Sequence, residues 1–205
     1  MIKNIILDIG GVLIEYNDEA YLEKMGITQK ERKRNIQQAI FHNPAWKACL
    51  NGKITTQTFL KEVVKGAKEE EEVIYKLFSK EAMPMLMPIK EKMKKQVQMW
   101  QNAGLKVYLL SNVIMDTYLY ERDELKLLEL VDGGVFSCIE QVSKPEKEIY
   151  LRLLEKYHLL PQECIFVDDQ RKNLVSAKEL NMKTVVFENE EQVKKQIEKE
   201  IGKHE

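Results

Sequence analysis

Two apolar runs of this sequence end in carboxylates, an arrangement that is unfavourable unless the charges are paired or bound to a metal. Asp8 ends the first run and is followed closely by Gly10 and Gly11, while Asp168 and Asp169 follow a second run. Glycines let the backbone turn sharply and approach a ligand. An aspartate can attack phosphorus to form an acyl phosphate, and carboxylates hold a hard cation such as Mg²⁺. The pattern therefore predicts phosphoryl transfer.

Polar residues with complementary chemistry stand at two further points of the chain. Ser111 and Asn112 come directly after an apolar run, and Lys144 stands in Ser-Lys-Pro just ahead of a helical pattern. A serine hydroxyl, backbone amides and a lysine are suited to holding phosphate oxygens. Asn173, four residues beyond Asp169, is close enough to support the acidic pair. We expect these groups to meet at the carboxyl ends of the strands.

The apolar runs predict the strands that position these side chains. Segments with helical periodicity precede the later runs, and one of them, Met87 to Ala103, places apolar residues on a single stripe. Strands alternating with helices indicate an α/β fold with a doubly wound parallel sheet. The predicted strands are Asn4–Asp8, Lys106–Ser111, Cys164–Val167 and Lys183–Phe187, with a weaker fifth near Gly134–Cys138.

The segment between Glu15 and Met85 carries helical patterns and no convincing strand. Thr28 and Glu31 have the spacing of a capping box ahead of a helix. Thr55 or Thr56 is suited to start a later helix of the same segment. The pattern predicts an all-helical insertion after the first strand, above the sheet edge where Asp8 is expected.

Composition limits the possible partners and compartments. The 205 residues include 32 basic and 33 acidic side chains, for a net charge of -1, which argues against a general polyanion binder such as a nucleic-acid-binding protein. The apolar runs are too short to span a membrane, and three scattered cysteines are typical of a reducing compartment. We expect a cytoplasmic protein that binds neither nucleic acid nor membranes and that is a monomer or a weak homodimer.

Four motifs of this sequence resemble, in their order, those of the haloacid dehalogenase-like (HAD) hydrolase superfamily. They are centred on Asp8, on Ser111 and Asn112, on Lys144, and on Asp168 and Asp169. The first motif, which begins at Asp8, is similar to the Asp-x-Gly-Gly form found in a subgroup that includes glucose-1-phosphatase-like enzymes. The resemblance implies a Rossmann-like core and a helical cap at the first insertion point. It divides the chain into a core of residues 1–14 and 86–205 and a cap of residues 15–85.

The resemblance also implies roles for individual residues. Asp8 matches the nucleophile, and the phosphate-binding positions correspond to Ser111, Asn112, Lys144 and Gly11. The Mg²⁺ ligands would be Asp8, the Gly10 carbonyl and Asp169, with Asp168 ligating directly or through water. Asn173 would hold these ligands in place without contacting the metal. Ser111 and Lys144 are thus implied, with Asp8, to take part in catalysis.

The sequence departs from the family pattern at Gly10. Most phosphatases of the superfamily carry an aspartate two residues after the nucleophile, which protonates the leaving alcohol and later activates water. Three consequences are open. The substrate could carry a better leaving group, as a sugar anomeric phosphate does; Glu15 or Asp18 could replace the aspartate; or turnover could be slow or absent. We favour the first.

The predicted function is hydrolysis of a small phosphorylated metabolite, with a sugar phosphate favoured, by a Mg²⁺-dependent phosphatase that forms a phosphoaspartyl intermediate. Two alternatives are a hydrolytic 2-haloacid dehalogenase, which needs no metal, and a non-catalytic binding protein with the same fold. From the cap, Tyr16, Trp46 and His42 could face the substrate, although Trp46 and His42 are more easily explained as packing within the cap.

Overall fold

Five parallel strands form one sheet in the computed structural model, which describes residues 1–202. The strand order is β3-β2-β1-β4-β5, so the chain reverses its direction of winding between β1 and β4. This is the predicted doubly wound α/β fold; the last residues of the predicted core, 203–205, lie outside the described part. The strands are β1 (Asn4–Leu7), β2 (Lys106–Ser111), β3 (Gly133–Phe136), β4 (Cys164–Asp168) and β5 (Lys183–Val186).

Alternate residues of the central strands face opposite layers, because successive side chains of a strand point to opposite faces. Ile5 and Leu7 of β1 belong to one apolar cluster, whereas Ile6 belongs to the other, together with Phe166 of β4. All four side chains are fully buried. Both faces of the sheet are therefore covered, which explains why the strands are apolar along their whole length.

Helices cover both faces of the sheet. The long segment between β1 and β2 also consists of helices and the turns and loops that join them. None of the helices within residues 1–202 is long and apolar enough to cross a membrane. The helices before β2 are α1 (Asp18–Lys24), α2 (Lys30–Phe41), α3 (Trp46–Leu50), α4 (Thr56–Gly66), α5 (Glu71–Leu77), α6 (Met83–Leu86) and α7 (Glu91–Asn102). Those after it are α8 (Met115–Asp123), α9 (Leu127–Leu130), α10 (Ser137–Glu140), α11 (Lys147–Lys156), α12 (Arg171–Glu179) and α13 (Glu190–Ile201), and short 3₁₀ turns span Lys68–Glu70 and Pro161–Glu163.

The start of α2 corrects one prediction. Gln29 is the N-cap and makes no side-chain capping hydrogen bond, so the box expected from Thr28 and Glu31 does not form. The start of α4 resolves an alternative, because the Thr55 hydroxyl accepts a hydrogen bond from the backbone N–H of Thr58. Thr56 is instead the first residue of that helix.

The helical segment is joined to the sheet by two linkers that run side by side. The backbone N–H of Glu15 donates to the carbonyl of Pro88, and that of Asn17 donates to the carbonyl of Leu86. The N–H of Lys90 donates in turn to the carbonyl of Leu13. This pairing explains why α7 begins at Glu91 rather than near Met87: the residues before it are held extended beside the first linker. The domain division at 14/15 and 85/86 stays a prediction.

Candidate active site

Asp8 lies directly beyond β1, where the chain turns back. The backbone N–H groups of Val12, Leu13 and Ile14 all donate to the carbonyl of Ile9. Gly11 turns the loop with a φ of +75°, a conformation that glycine adopts without strain. The N–H of Ile9 donates to Oδ1 of Asp8 at 2.7 Å, leaving Oδ2 directed toward the other motifs.

Lys144 is the cation that connects the acidic groups of two strands. Its Nζ atom lies 2.9 Å from Oδ2 of Asp8 and 2.7 Å from Oδ2 of Asp168, and its side chain is inaccessible to solvent. Burial raises the pKa of Asp8 to about 7, although Lys144 acts to lower it and Asp168 raises it further. Within the protein, one ammonium group therefore contacts two buried carboxyl groups.

Asp168 is held by protein donors on both of its oxygens. Oδ1 accepts from the backbone N–H of Gln170 at 2.8 Å and from Nδ2 of Asn173 at 3.0 Å. Oδ2 accepts from Lys144 and again from Asn173. Asp168 is completely buried, so its lone pairs serve mainly to fix Lys144 and the start of α12.

Asp169 is exposed and reaches toward the turn after β1. A Cβ atom placed on Gly11 would lie only 2.7 Å from Oδ2 of Asp169, so glycine is required for this approach. Although the residue as a whole is exposed, partial burial of its carboxyl group, followed by the charge of Asp168, raises the pKa of Asp169. Carboxylate oxygens of Asp8, Asp168 and Asp169 lie within 4.8 Å of one another. This all-oxygen cluster fits a hard cation such as Mg²⁺.

The two polar residues after β2 have different surroundings. The Ser111 hydroxyl has no hydrogen-bond partner among residues 1–202, although the residue is buried against the cavity beside Asp8. Asn112 exchanges two hydrogen bonds of 2.8 Å with the backbone of Lys144. The Asn112 side chain thus holds the Lys144 backbone in place, and Asn112 also lines the cavity beside Asp8, so its phosphate-binding role stays a prediction.

The family is decided by comparison with known proteins. The model of the haloacid dehalogenase-like hydrolases matches residues 2–181. The chain belongs to this hydrolase family. The parallel sheet and the four converging motifs of the HAD-like hydrolase agree with that assignment. Membership of the subgroup suggested by the first motif stays a prediction.

Relatives share the fold over most of this hydrolase. D-ribitol-5-phosphate phosphatase of Bacteroides thetaiotaomicron is 25% identical over 200 residues, which cover 92% of this chain and 93% of that enzyme. A HAD family enzyme of the same organism, solved with magnesium and inorganic phosphate, has a TM-score of 0.71 at 22% identity and covers 91% of this chain and 94% of that one. The structural likeness establishes the fold.

Other relatives match over a smaller share of their own length. Mouse acyl-CoA dehydrogenase family member 10 is 27% identical over 165 residues, which are 77% of this chain but 15% of that protein. The matches to two further curated relatives cover 31% and 42% of their lengths. The HAD-like hydrolase thus spans much less than two thirds of these three relatives.

The active site of this HAD-like hydrolase opens into a cavity of about 610 Å³ between the carboxyl edge of the sheet and the helical segment. This volume lies within the range of small-molecule sites. Four aromatic residues of the cavity lining, which we call the aromatic wall, come from the helical segment and its first linker: Tyr16, Phe41, Trp46 and Phe78. Trp46 also packs on Phe41 and on Phe59, with ring centroids 5.3 and 5.2 Å apart. Trp46 therefore lines the cavity and also packs against other aromatic residues of the helical segment.

The other cap residues considered from sequence fall in different places. His42 is exposed and neither lines the cavity nor packs in the core of the cap, which corrects both interpretations of it. Glu15 is exposed and is absent from the cavity wall, so it is poorly placed to replace a catalytic aspartate. Asp18 does line the cavity, but its Oδ2 accepts a hydrogen bond of 2.7 Å from Gln37.

One acidic residue of the cavity was missed by sequence reasoning. Glu121, in α8, lines the cavity together with Asp8 but is only 3% exposed. It stands in the highly charged stretch Glu-Arg-Asp-Glu, which by itself indicates a solvent-facing helix end. Its burial depends on contacts from remote parts of the chain, and no local pattern signals it.

Proposed function

We propose that this HAD-like hydrolase is a Mg²⁺-dependent phosphatase that acts on a small phosphorylated metabolite, in particular a sugar phosphate, through a phosphoaspartyl intermediate on Asp8. The observation that carries the proposal is the contact of Lys144 with Asp8 and Asp168 at the ends of two adjacent strands. A nucleophile, a cation and a metal-binding carboxylate cluster therefore occupy one small region. Phosphoryl transfer needs these groups together.

The proposed roles follow from these contacts. Asp8 attacks phosphorus through Oδ2, while Lys144 and the unpartnered Ser111 hydroxyl hold phosphate oxygens. Asp8, Asp169 and the Gly10 carbonyl would hold Mg²⁺, with Asp168 fixing Lys144 and contributing through water. When bound, Mg²⁺ would supply positive charge that offsets repulsion between the carboxylate and the phosphate.

The substrate proposal is supported by the cavity and by one relative. A cavity of about 610 Å³ admits a small metabolite and not a folded phosphoprotein. One relative that is matched over nearly its full length is a D-ribitol-5-phosphate phosphatase, an enzyme named for a sugar-alcohol phosphate. The aromatic side chains of the cavity lining would supply apolar contacts for the carbon part of the ester.

The test is a phosphatase screen with Mg²⁺ on sugar phosphates, sugar-alcohol phosphates, nucleotides and phosphorylated acids. Wild type is expected to release phosphate, and Asp8→Asn to abolish release. Asp116→Asn is the matched control, because Asp116 is exposed and does not line the cavity. Absence of release by wild type from every ester would favour the non-catalytic alternative.

A hydrolytic dehalogenase is the other enzymatic alternative. That chemistry needs no metal, whereas three carboxylates whose oxygens lie within 4.8 Å of one another favour a metal-dependent reaction. Removal of Mg²⁺ by a chelator is expected to stop turnover, and its return to restore it. Halide release from 2-haloacids that persists in chelator would overturn the phosphatase proposal.

A further inference from the structure

Glu121 is a buried acidic residue, and one of its carboxyl oxygens lacks a partner in the part of the chain that the structure describes. It lies within α8 and is 3% exposed, and its Oε2 atom has no hydrogen-bond partner among residues 1–202. Burying an unpaired polar group is unfavourable, and a buried carboxylate without a cation is more so. A group of this kind on the wall of an active-site cavity is a candidate for a chemical role.

The surroundings of Glu121 favour its neutral form. Burial, followed by the negative charge of Asp8, raises the pKa of the Glu121 carboxyl group to about 8. The pKa of the Cys138 thiol in α10 is raised chiefly by burial and further by the charge of Glu121, so Cys138 is a second neighbour of Glu121. Neither neighbour is a cation. A neutral carboxylic acid has one O–H donor, which an ionised one lacks.

The acidic residues that line the cavity differ in their partners, and therefore in how readily each can give or take a proton. Asp8 contacts Lys144, Asp169 belongs to the carboxylate cluster, and Asp18 accepts a hydrogen bond from Gln37. Glu121 is the fourth acidic residue of the cavity wall, and it has no such partner. The position where phosphatases of this family usually carry a proton donor is Gly10, which has no side chain.

We propose that Glu121 is the acid–base residue that exchanges protons with the leaving group and with water in this cavity. The inference rests on the proposed phosphatase function. In the first step, Asp8 Oδ2 forms a bond to phosphorus, the bond from phosphorus to the ester oxygen breaks, and Glu121 gives its proton to that oxygen. In the second, water attacks phosphorus and gives a proton to the Glu121 carboxylate, and the bond to Asp8 breaks.

The experiment compares two phosphate esters that differ in their need for a proton. p-Nitrophenolate leaves readily without protonation, whereas a primary alkoxide, as in a sugar-alcohol phosphate, does not. Glu121→Gln keeps the shape of the side chain but cannot transfer a proton. It is expected to lower kcat on the alkyl ester by about 100-fold or more and on p-nitrophenyl phosphate by less than about tenfold.

Two further variants make the comparison specific. Glu124→Gln is the matched control, because Glu124 follows the same helix but is exposed outside the cavity. It is expected to match wild type on both esters. Glu121→Asp keeps the acid one methylene shorter and is expected to recover part of the activity on the alkyl ester. Thermal unfolding of each variant identifies any that fail to fold.

The outcomes separate this inference from the proposed function. A wild type that hydrolyses neither ester overturns the proposed function and the inference with it. An active wild type combined with equal losses on both esters in Glu121→Gln, or with no loss on either, overturns the role of Glu121 alone. A loss confined mainly to the alkyl ester, with partial recovery in Glu121→Asp, supports it.

Discussion

The Nζ atom of Lys144 lies 2.9 Å from Oδ2 of Asp8, and both side chains are almost completely buried. Removing the ammonium would leave the carboxylates of Asp8 and Asp168 close together without compensation. Loss of one partner of a buried ion pair typically destabilises a protein by about 3–5 kcal/mol. Lys144 thus links the stability of the fold to its chemistry.

We expect Lys144→Met to abolish phosphate release and to lower the free energy of unfolding, more strongly at pH 8 than at pH 5. At pH 5 the Asp8 carboxyl group, whose pKa is raised to about 7, is largely protonated and needs less compensation by a cation, so the loss is smaller there. Urea unfolding at the two pH values measures the effect. Lys147→Met, an exposed change nearby, is the control; equal destabilisation by both variants would contradict the assigned role.

The two adjacent aspartates are expected to respond differently to substitution. Asp169 is exposed beside Gly11, whereas both oxygens of Asp168 accept hydrogen bonds from protein donors. Asp169→Asn should raise the Mg²⁺ concentration for half-maximal activity by about tenfold or more. Asp168→Asn should mainly lower kcat, because Lys144 loses an anchor. Mg²⁺ titrations of activity test this, and the reverse pattern would assign the direct metal contact to Asp168.

Glu121 is expected to make stability depend on pH. Its carboxyl pKa is raised from 4.5 to about 8 in the fold, so the folded state binds a proton between these values that the unfolded state has lost. Stability due to this group is therefore greatest below pH 4.5, falls as the pH rises toward 8, and then levels off. Glu121→Gln removes this pH-dependent loss. Above pH 8 the free energy of unfolding of the variant should therefore be higher than that of wild type by a few kcal/mol.

Urea unfolding from pH 4.5 to 9, with a chelator present and Glu124→Gln as control, measures that difference. Asp8 and Cys138 are the titratable groups that influence Glu121 or respond to it, and both are retained in the variant. Parallel stability curves for wild type and Glu121→Gln would show that the carboxyl group is ionised and solvated in the fold.

Restoring an aspartate at position 10 offers an independent check. A Cβ atom on Gly10 would meet nothing within 4 Å, so the position has room for a side chain. If Glu121 supplies the missing proton, Gly10→Asp should raise kcat on an alkyl phosphate by at least about tenfold in Glu121→Gln and by much less in wild type. The four kcat values form a double-mutant cycle. An equal gain in both backgrounds would mean that the two positions act independently.

The sequence was sufficient to predict the sheet, because both faces of β1 and β4 are covered and their residues are continuously apolar. It also indicated Asp8, Lys144 and Asp168 as neighbours, since the carboxyl ends of parallel strands share one edge. Strand β3 ends at Phe136 rather than Cys138, because Ser137 begins α10.

Burial of individual polar groups was beyond sequence reasoning. The side chain of Asn112 serves the Lys144 backbone, a pairing across 32 positions that no local pattern encodes. Glu121 resembles its exposed neighbours in composition and differs only in what surrounds it. Such environments depend on how distant helices pack, so only the folded structure identifies them.

The paired linkers between residues 13–17 and 86–90 have a consequence for how such a protein can diversify. Because the inserted helices leave and rejoin the core at adjacent points, their length and order place little constraint on the pairing of β1 with β2. The aromatic wall belongs mainly to the insertion, and the carboxylates and Lys144 belong to the core. The aromatic side of the cavity can therefore be altered by substitution or insertion while Asp8, Lys144 and the two adjacent aspartates keep their positions at the edge of the sheet.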